Sequence, residues 1–320
     1  MNQKHKHIEI NIGKACNNKC RFCMSARVWH DELQLTKFEI VESEIILYAK
    51  KWYKSIGFLW GDISIHPSIY KILETCKQYN FQVVNVITNA MLFSQYEKAK
   101  KFIKSGTTRV NISIHSHEDS VEDHLTQVKW WLQRKLAAID NFNVLHEKGT
   151  LESPLSINIV LNKMNLERIV ETCLYFYKIK KIRDIRINFL WNRFFYEKGD
   201  EETLSLTYTD FLPYLKKLIY ISIKYNIRIT FDTIPACIFY QVSQWNGEYI
   251  VKKFLWEDQD HIEEISNLNK DQKFDWKDQK KNDLKTREKS CEKCSYYNSC
   301  QWIWNEYVEK YGFSEFKAIV

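Results

Sequence analysis

Three cysteines early in the chain could hold a metal centre that still has room for a reactant. Cys16, Cys20 and Cys23 follow a run in which isoleucines alternate with other residues, a pattern typical of a strand. A loop leaving a strand end can turn all three sulfurs toward one inorganic group. Structural zinc and most iron–sulfur clusters take four protein ligands, so three cysteines leave one metal position open for chemistry. The three thiols could instead be disulfide partners, half a zinc site or a chance grouping.

A second group of cysteines lies close to position 300. Cys291 and Cys294 are followed by Cys300 after five residues, and Cys237 lies upstream. Together they supply four thiolates, the number that closes a metal site. The two-residue spacing between Cys291 and Cys294 suits a four-cysteine zinc site as well as an iron–sulfur cluster.

Six strands, each followed by a helix, are expected to position these cysteines. The predicted strands cover residues 8–12, 56–60, 81–87, 109–114, 155–161 and 182–189. The predicted helices cover residues 35–52, 67–79, 92–105, 125–146, 166–177 and 208–225. This order predicts a parallel sheet covered by helices, either an open sheet or a barrel. Three polar residues follow the fourth strand, and we interpret them as loop residues rather than a metal or acid–base group: His115, His117 and Asp123.

The region after the sixth unit is less regular. Residues 228–231 could add one more strand. Residues 256–290 are poor in apolar side chains and dense in charged and amide ones, so we expect a solvated excursion or a partly disordered loop there.

Composition describes an ordinary globular chain. Its 320 residues are 45% hydrophobic, which is enough for a substantial core. No apolar run approaches the roughly 18 residues that span a membrane, so we expect a cytoplasmic protein without a membrane partner. Nine clustered cysteines fit metal ligation better than disulfides, although Cys76 and Cys173 lie among apolar neighbours and should be core residues. The net charge of +7 indicates a solvated lysine-rich surface and, only weakly, an anionic partner.

The motif Cys16-x3-Cys20-x-Phe22-Cys23 resembles the signature of the radical SAM superfamily. The resemblance covers residues 8 to about 225 and implies a partial (β/α)6 TIM-like barrel, an α/β fold with sites at the carboxyl ends of its strands. It implies that the three cysteines hold a [4Fe-4S] cluster whose fourth iron is chelated by S-adenosylmethionine (SAM). An electron from the cluster would then break the sulfonium and release a 5′-deoxyadenosyl radical, which would abstract hydrogen from a substrate.

The same resemblance assigns contacts to SAM at the ends of successive strands. Trp60, Gly61, Asp62 and Ile63 fall where the family has Gly-Gly-Glu-Pro, and only Gly61 and, by charge, Asp62 match. A guanidinium suits a carboxylate by charge-assisted hydrogen bonding, which favours Arg186 on a later strand. The further candidates are Asn89, Ser113, Asn158 and Asn188. Each of them could instead be a solvated strand-end residue or a satisfied polar group.

The spacing of the last three cysteines resembles the auxiliary-cluster extensions, of the SPASM or twitch kind, that follow many radical SAM cores. The fuller pattern has further cysteines where this chain has Trp304 and Lys252, so we expect one additional [4Fe-4S] cluster rather than two. We therefore divide the chain into a radical SAM core, residues 1–226, and a cysteine-rich extension, residues 227–320. The expected ligands of the second cluster are Cys237, Cys291, Cys294 and Cys300.

These features predict a radical SAM enzyme that cleaves SAM reductively, with a ribosomally made peptide as the first choice of substrate. A biosynthetic small molecule is the close alternative, and RNA modification has only the charge in its favour. The resemblance also implies an electron donor such as flavodoxin or ferredoxin. A hypothesis from another class is a non-catalytic, zinc-stabilised scaffold that binds nucleic acid or protein.

Overall fold

The computed structural model describes residues 6–23, 35–59, 61–193, 195, 198–242, 247–254, 262–267 and 272–320. Its strands are β1 His7–Asn11, β2 Ser55–Leu59, β3 Val83–Thr88, β4 Arg109–Ser113, β5 Ser156–Leu161, β6 Asp184–Phe189, β7 Arg228–Asp232, β8 Ile262–Asn267, β9 Gln272–Phe274, β10 Lys285–Thr286 and β11 Ile303–Trp304. Its helices are α1 Phe38–Lys50, α2 Ile69–Gln78, α3 Tyr96–Lys104, α4 Asp119–Thr126, α5 Trp131–Glu147, α6 Lys163–Leu166, α7 Ile169–Lys178, α8 Asp200–Leu204, α9 Tyr208–Tyr225, α10 Ala236–Val242, α11 Gly247–Phe254, α12 Trp276–Gln279 and α13 Asn305–Tyr311.

A parallel sheet organises the molecule. Strands β1 to β7 lie side by side in chain order, and each pairs with the next in parallel. Because parallel neighbours need a crossover, the helices that separate them in sequence return the chain across one face of the sheet. The predicted partial (β/α)6 TIM-like class is confirmed, and all six predicted strands are present. The tentative seventh strand, at residues 228–231, is also present as β7.

The two faces of the sheet differ in polarity. Ile8 and Ile10 of β1 are fully buried in the apolar core that the helices share, as are the aliphatic residues at alternate positions of the other strands. The opposite face carries polar side chains at many of the intervening positions, because successive residues of a strand point to opposite sides. On β1 these are His7, Glu9 and Asn11, all buried. The helix-free side of the sheet is therefore a polar lumen.

One prediction for the later part of the chain is wrong. Within residues 256–290, β8 is a strand that lies parallel to β1 and extends the main sheet, and β9 pairs with β8 in an antiparallel manner. Two side chains hold β8 against the rest of the molecule. Ile265 is buried, and Ser266 Oγ donates to Glu44 Oε1 of α1 at 2.7 Å. The edge of β1 supplies backbone partners that composition does not reveal. Residues 256–261 and 268–271 of the expected excursion lie outside the described residues, and its last part contains α12 and β10.

The helix expected over residues 125–146 is two helices. Gln127 and Trp130 adopt left-handed backbone conformations between α4 and α5, which ends one helix before the next begins. The division of the chain at residue 226 stays a prediction. Among the described residues no helix is long and apolar enough to cross a membrane.

A small residue in β2 makes room for the polar lumen. A Cβ atom on Gly57 would overlap the carboxylate of Glu9, which is buried and accepts a hydrogen bond from His7 Nε2 at 2.7 Å. We expect Gly57→Ala to lower the free energy of unfolding by about 1–3 kcal/mol, because the carboxylate must leave its partner. Urea denaturation measures this. In a Glu9→Ala background the same substitution should cost far less, and an equal cost in both backgrounds would contradict the overlap.

Candidate metal centres and active site

The three-cysteine loop follows β1 at the carboxyl edge of the sheet. Cys16, Cys20 and Cys23 are half-buried free thiols, and their charges act on one another. The loop turns back on itself, since the Cys23 amide donates to the Cys20 carbonyl at 3.0 Å. The structure therefore gathers the three predicted ligands into one group. None of the nine cysteines forms a disulfide.

Amide donors surround these sulfurs. The Asn18 backbone amide lies 3.4 Å from Cys16 Sγ, and Asn18 Nδ2 lies 3.9 Å from Cys20 Sγ. Asn89, at the end of β3, places Nδ2 3.7 Å from Cys16 Sγ and 2.6 Å from Asn17 Oδ1. Donors of this kind stabilise negative charge on sulfur, as they do around iron–sulfur clusters.

Burial changes the protonation of the thiols in the cysteine loop. Burial, followed by the charge of Asp62, raises the pKa of the Cys16 thiol far above its usual range. Burial, followed by the charge of Cys23, raises the pKa of the Cys20 thiol to about 12. Both thiols are therefore protonated at neutral pH without a metal, and a metal that binds thiolates releases those protons. The donor set fits three thiolate ligands of a [4Fe-4S] cluster.

Asp62 fastens two neighbouring loops instead of facing open space. Its carboxylate accepts from the Ser64 amide at 2.9 Å, the Thr88 hydroxyl at 2.9 Å and the Asn89 amide at 2.7 Å. Burial raises the pKa of this carboxyl, and the hydrogen bonds from Ser64 and Asn89 oppose that change. These three donors occupy most of its acceptor capacity. The role that fits Asp62 best is to hold Asn89 beside Cys16.

Gly61 lets the β2 loop approach the cysteine loop. Its φ of +63° is left-handed, and a Cβ atom there would overlap the Ala15 carbonyl, which already accepts from the Asp62 amide at 2.8 Å. A residue with a side chain could not occupy this position without moving the backbone. Trp60, which departs from the family pattern, lies outside the described residues.

Three predicted SAM contacts lie in one row across the sheet. Ser113 of β4 is in register with Asn158 of β5, which is in register with Arg186 of β6. Residues in register share a face, and neighbouring strands lie about 4.8 Å apart, so the row spans roughly 10 Å. Asn188 lies two residues beyond Arg186, and its Nδ2 donates to Asn158 Oδ1 at 2.8 Å. The row lines the polar lumen beside the cysteine loop.

The polar residues after β4 do not form one group. His115 is buried, and its ring packs edge to face with the ring of Phe22, with 4.8 Å between the ring centroids. Its Nδ1 accepts a hydrogen bond from the Val160 amide. Burial lowers the pKa of His115 to about 4. His117 bonds to Thr172, whereas Asp123 accepts from the Trp130 amide. His115 and His117 lie in the loop between β4 and α4, as expected, whereas Asp123 lies within α4 and is not a loop residue.

The four later cysteines line one cavity. Cys237 on α10 meets Cys291, Cys294 and Cys300, and the charges of those three act on Cys237. Burial raises the pKa of the Cys237 thiol to about 12. The Ile319 amide donates toward Cys294 Sγ at 3.4 Å. The arrangement brings together all four predicted ligands, although 53 residues separate Cys237 from Cys291 in the sequence.

Aromatic side chains join this second site to the barrel. Trp191, just after β6, stacks on Trp304 of β11 with ring centroids 4.0 Å apart and planes 8° from parallel. The guanidinium of Arg287 lies 3.7 Å from the Tyr297 ring centroid and 4.1 Å from that of Trp302. Trp304, where the fuller auxiliary pattern has a cysteine, is buried and fills the junction.

Several residues that support the site escaped sequence reasoning. Lys135 and Glu122 form a fully buried ion pair beneath the cysteine loop, with 2.6 Å between Nζ and Oε1. Lys135 lies between Leu132 and Leu136 on the buried face of α5, and a lysine at such a position could have indicated a buried ion pair. Thr88 precedes Asn89 and gave no signal of its own.

The comparisons agree with this geometry. The sequence model of the radical SAM superfamily matches residues 10–176. A GTP 3′,8-cyclase of Staphylococcus epidermidis is 21% identical over 193 residues, which are 58% of this chain and 53% of that protein. The chain therefore spans about half the length of this curated relative.

Two solved structures share the fold. Streptococcus suis SuiB bound to S-adenosylmethionine has a TM-score of 0.61 and 16% identity, covering 92% of this chain and 72% of that chain. The enzyme anSMEcpe with bound AdoMet and the Cp18Cys peptide has a TM-score of 0.58 and 15% identity, covering 92% and 88%. At such identities the likeness concerns the fold.

The family match includes the end of β1, the cysteine loop and the strands that carry or precede Asn89, Ser113 and Asn158. It takes in just over half of the 320 residues. Sequence, fold and site geometry lead to one conclusion: the chain belongs to the radical SAM superfamily.

Proposed function

We propose that this protein is a radical SAM enzyme that cleaves S-adenosylmethionine reductively and abstracts hydrogen from a peptide. The observation that carries the proposal is the group of three thiols after β1, at the carboxyl edge of a sheet whose polar face carries the row of Ser113, Asn158 and Arg186. Membership of the family implies a [4Fe-4S] cluster and SAM. The cluster, when bound, supplies the electron that breaks the carbon–sulfur bond of SAM.

The chain's own residues would hold and orient the reactants. Cys16, Cys20 and Cys23 would be the cluster ligands, and the amide donors of Asn18 and Asn89 would stabilise their charge. The row formed by Ser113, Asn158 and Arg186 would bind SAM, with Arg186 suited to its carboxylate. Gly61 and Asp62 would shape the loop beside it.

Unsatisfied polar atoms in the lumen support a ligand there. Within the described residues the Oδ1 atom of Asn188 and both side-chain polar atoms of Asn111 are buried without a hydrogen-bond partner. Such atoms cost free energy unless a ligand or water pairs with them. A substrate with amide or hydroxyl groups would satisfy them when it enters.

The extension would hold the second cluster through Cys237, Cys291, Cys294 and Cys300. The Trp191–Trp304 contact lies just after the carboxyl end of β6, which supports a position of this second site on the substrate side of the barrel. An external donor such as flavodoxin or ferredoxin would supply the electrons.

Peptides are the favoured substrate class because of the structures that match most of the chain. SuiB has been solved with its precursor peptide SuiA, and anSMEcpe with peptides. The match with SuiB and AdoMet covers 92% of this chain. A guanosine nucleotide is the second candidate, since the curated relatives are GTP 3′,8-cyclases, although a typical match covers only 58% of the chain.

Anaerobic reconstitution tests the proposal. We expect about eight irons per chain if both sites hold four-iron clusters, and formation of 5′-deoxyadenosine from SAM and dithionite. Two zincs and no cleavage would instead establish the zinc-stabilised scaffold. For the substrate, peptides encoded beside the gene and GTP are incubated separately with the reduced enzyme. A changed peptide mass supports the proposal, whereas conversion of GTP alone would establish the nucleotide alternative.

A further inference from the structure

A buried ion pair lies between the cysteine loop and the row of predicted SAM contacts. The side chains of Glu122 on α4 and Lys135 on α5 are both 0% exposed, and Nζ lies 2.6 Å from Oε1. The second oxygen of Glu122 accepts from the amides of His115 and Ser116 at 2.7 and 2.9 Å. Lys135 Nζ also donates to the Ser113 carbonyl at 2.9 Å. The pair therefore clamps α4 and α5 to the end of β4.

Such a pair needs a reason beyond stability. Removing two charges from water costs about as much as their attraction returns, so an apolar pair of similar volume is often at least as stable. A pair that is fully buried and fully hydrogen-bonded instead fixes the relative positions of the elements that carry it. Here those elements are α4, α5 and the end of β4.

The last turn of α4 holds the cysteine loop. The amides of Lys19 and Arg21, on either side of Cys20, donate to the carbonyls of Thr126 and Leu125 at 3.1 and 3.0 Å. Arg21 Nε also donates to the His124 carbonyl at 3.0 Å. Whatever fixes α4 therefore fixes the backbone on both sides of Cys20.

The two charges of the pair also lie near the Cys20 side of the loop. Glu122 is one helical turn before Leu125 and Thr126, whose carbonyls accept from the loop amides on either side of Cys20. A positive and a negative charge are therefore held close to one expected cluster ligand.

We propose that the Glu122–Lys135 pair positions the Cys20 side of the cysteine loop for its cluster, holding α4 in place and setting opposed charges beside the sulfur. This inference rests on the proposed function, because it assigns the pair a role toward the cluster of that same site. The pair is a positioning element and touches no reactant.

Three variants separate holding from electrostatics. Lys135→Met leaves the Glu122 charge unpaired, Glu122→Gln leaves the Lys135 charge unpaired, and the double variant is neutral. The double variant secures the test should a single variant fail to fold. Lys181→Met, which removes an exposed ion pair with Glu147, is the matched control.

Hydrogen exchange of the segment containing Lys19 and Arg21 measures the holding role, before and after reconstitution. We expect faster exchange in both single variants and also in the double variant, because none of the three keeps the ion pair, and no change in the control. Unchanged exchange in the double variant, which carries no unpaired charge, would overturn the holding role. If the wild-type protein takes up no iron, the proposed function is wrong. The hydrogen exchange measured before reconstitution would still show whether the ion pair holds the cysteine loop.

The midpoint potential of the cluster in the core supplies a readout that a purely structural role would not move. A nearby cation favours the reduced, more negative cluster, so Lys135→Met should lower the potential and Glu122→Gln should raise it. The double variant should return close to the wild-type value. Equal potentials in all variants, or shifts of the same sign in both single variants, would overturn the electrostatic part.

Discussion

Replacing Cys16, Cys20 or Cys23 with alanine will abolish reductive cleavage of SAM. Each substitution would leave two thiolates where three are expected to hold the cluster, and residues 12–23, the described part of the loop, offer no further thiol. Iron content should fall by about four atoms per chain, with the auxiliary cluster retained. Iron analysis and chromatographic detection of 5′-deoxyadenosine after reduction measure both effects.

Two core cysteines supply the control for this experiment. Cys76 in α2 and Cys173 in α7 are fully buried free thiols among apolar neighbours, as their sequence context predicted. Their replacement with alanine should leave iron content and cleavage unchanged, at a cost of about 1 kcal/mol in the free energy of unfolding. Cleavage that survives in Cys20→Ala would refute the ligand assignment.

Replacing Cys237 with alanine will remove the second metal centre and leave SAM cleavage intact. The other three cysteines of that site lie within ten residues of one another, but they need a fourth thiolate from α10 to close it. Iron should again fall by about four atoms per chain, while reduced enzyme still forms 5′-deoxyadenosine. Product formation from the true substrate should be lost, because that step would depend on the extension.

Metal analysis of the same variant separates the two identities of the second site. Loss of one zinc instead of about four irons would identify a structural zinc site. An unchanged metal content would show that Cys237 is no ligand. Cys173→Ala again serves as the control, since this thiol is buried in the core and is not among the residues that line the second site.

Sequence reasoning recovered the fold because strand and helix patterns are local. The alternating and helical periodicities located all six strands, and the bounds of α9, Tyr208–Tyr225, coincide with the prediction. It failed at β8, where pairing with β1 depends on an edge more than 200 residues away. A strand with few apolar residues can form there because its partner supplies the backbone hydrogen bonds.

The candidate site shows the same division. The spacing of Cys16, Cys20 and Cys23 was enough to predict them as ligands of one metal centre, because residues of one short loop can reach the same metal. The inward role of Asp62 was not visible, because two of its three donors, Thr88 and Asn89, lie at the end of β3, far from Asp62 in the sequence. The buried partner of Lys135 was not visible either. Its position on the apolar face of α5 indicates burial, but it does not show that Glu122 compensates its charge.

The sequence by itself determined the chemical class. Thiol spacing and the β-then-α order depend on neighbours along the chain, and they identify the superfamily without coordinates. The tertiary structure decided which distant groups meet: Cys237 with the last three cysteines, Ser113 with Asn158 and Arg186 in one row, and Glu122 with Lys135 beneath Cys20. These meetings depend on strand register and helix packing, which arise only when the whole sheet forms.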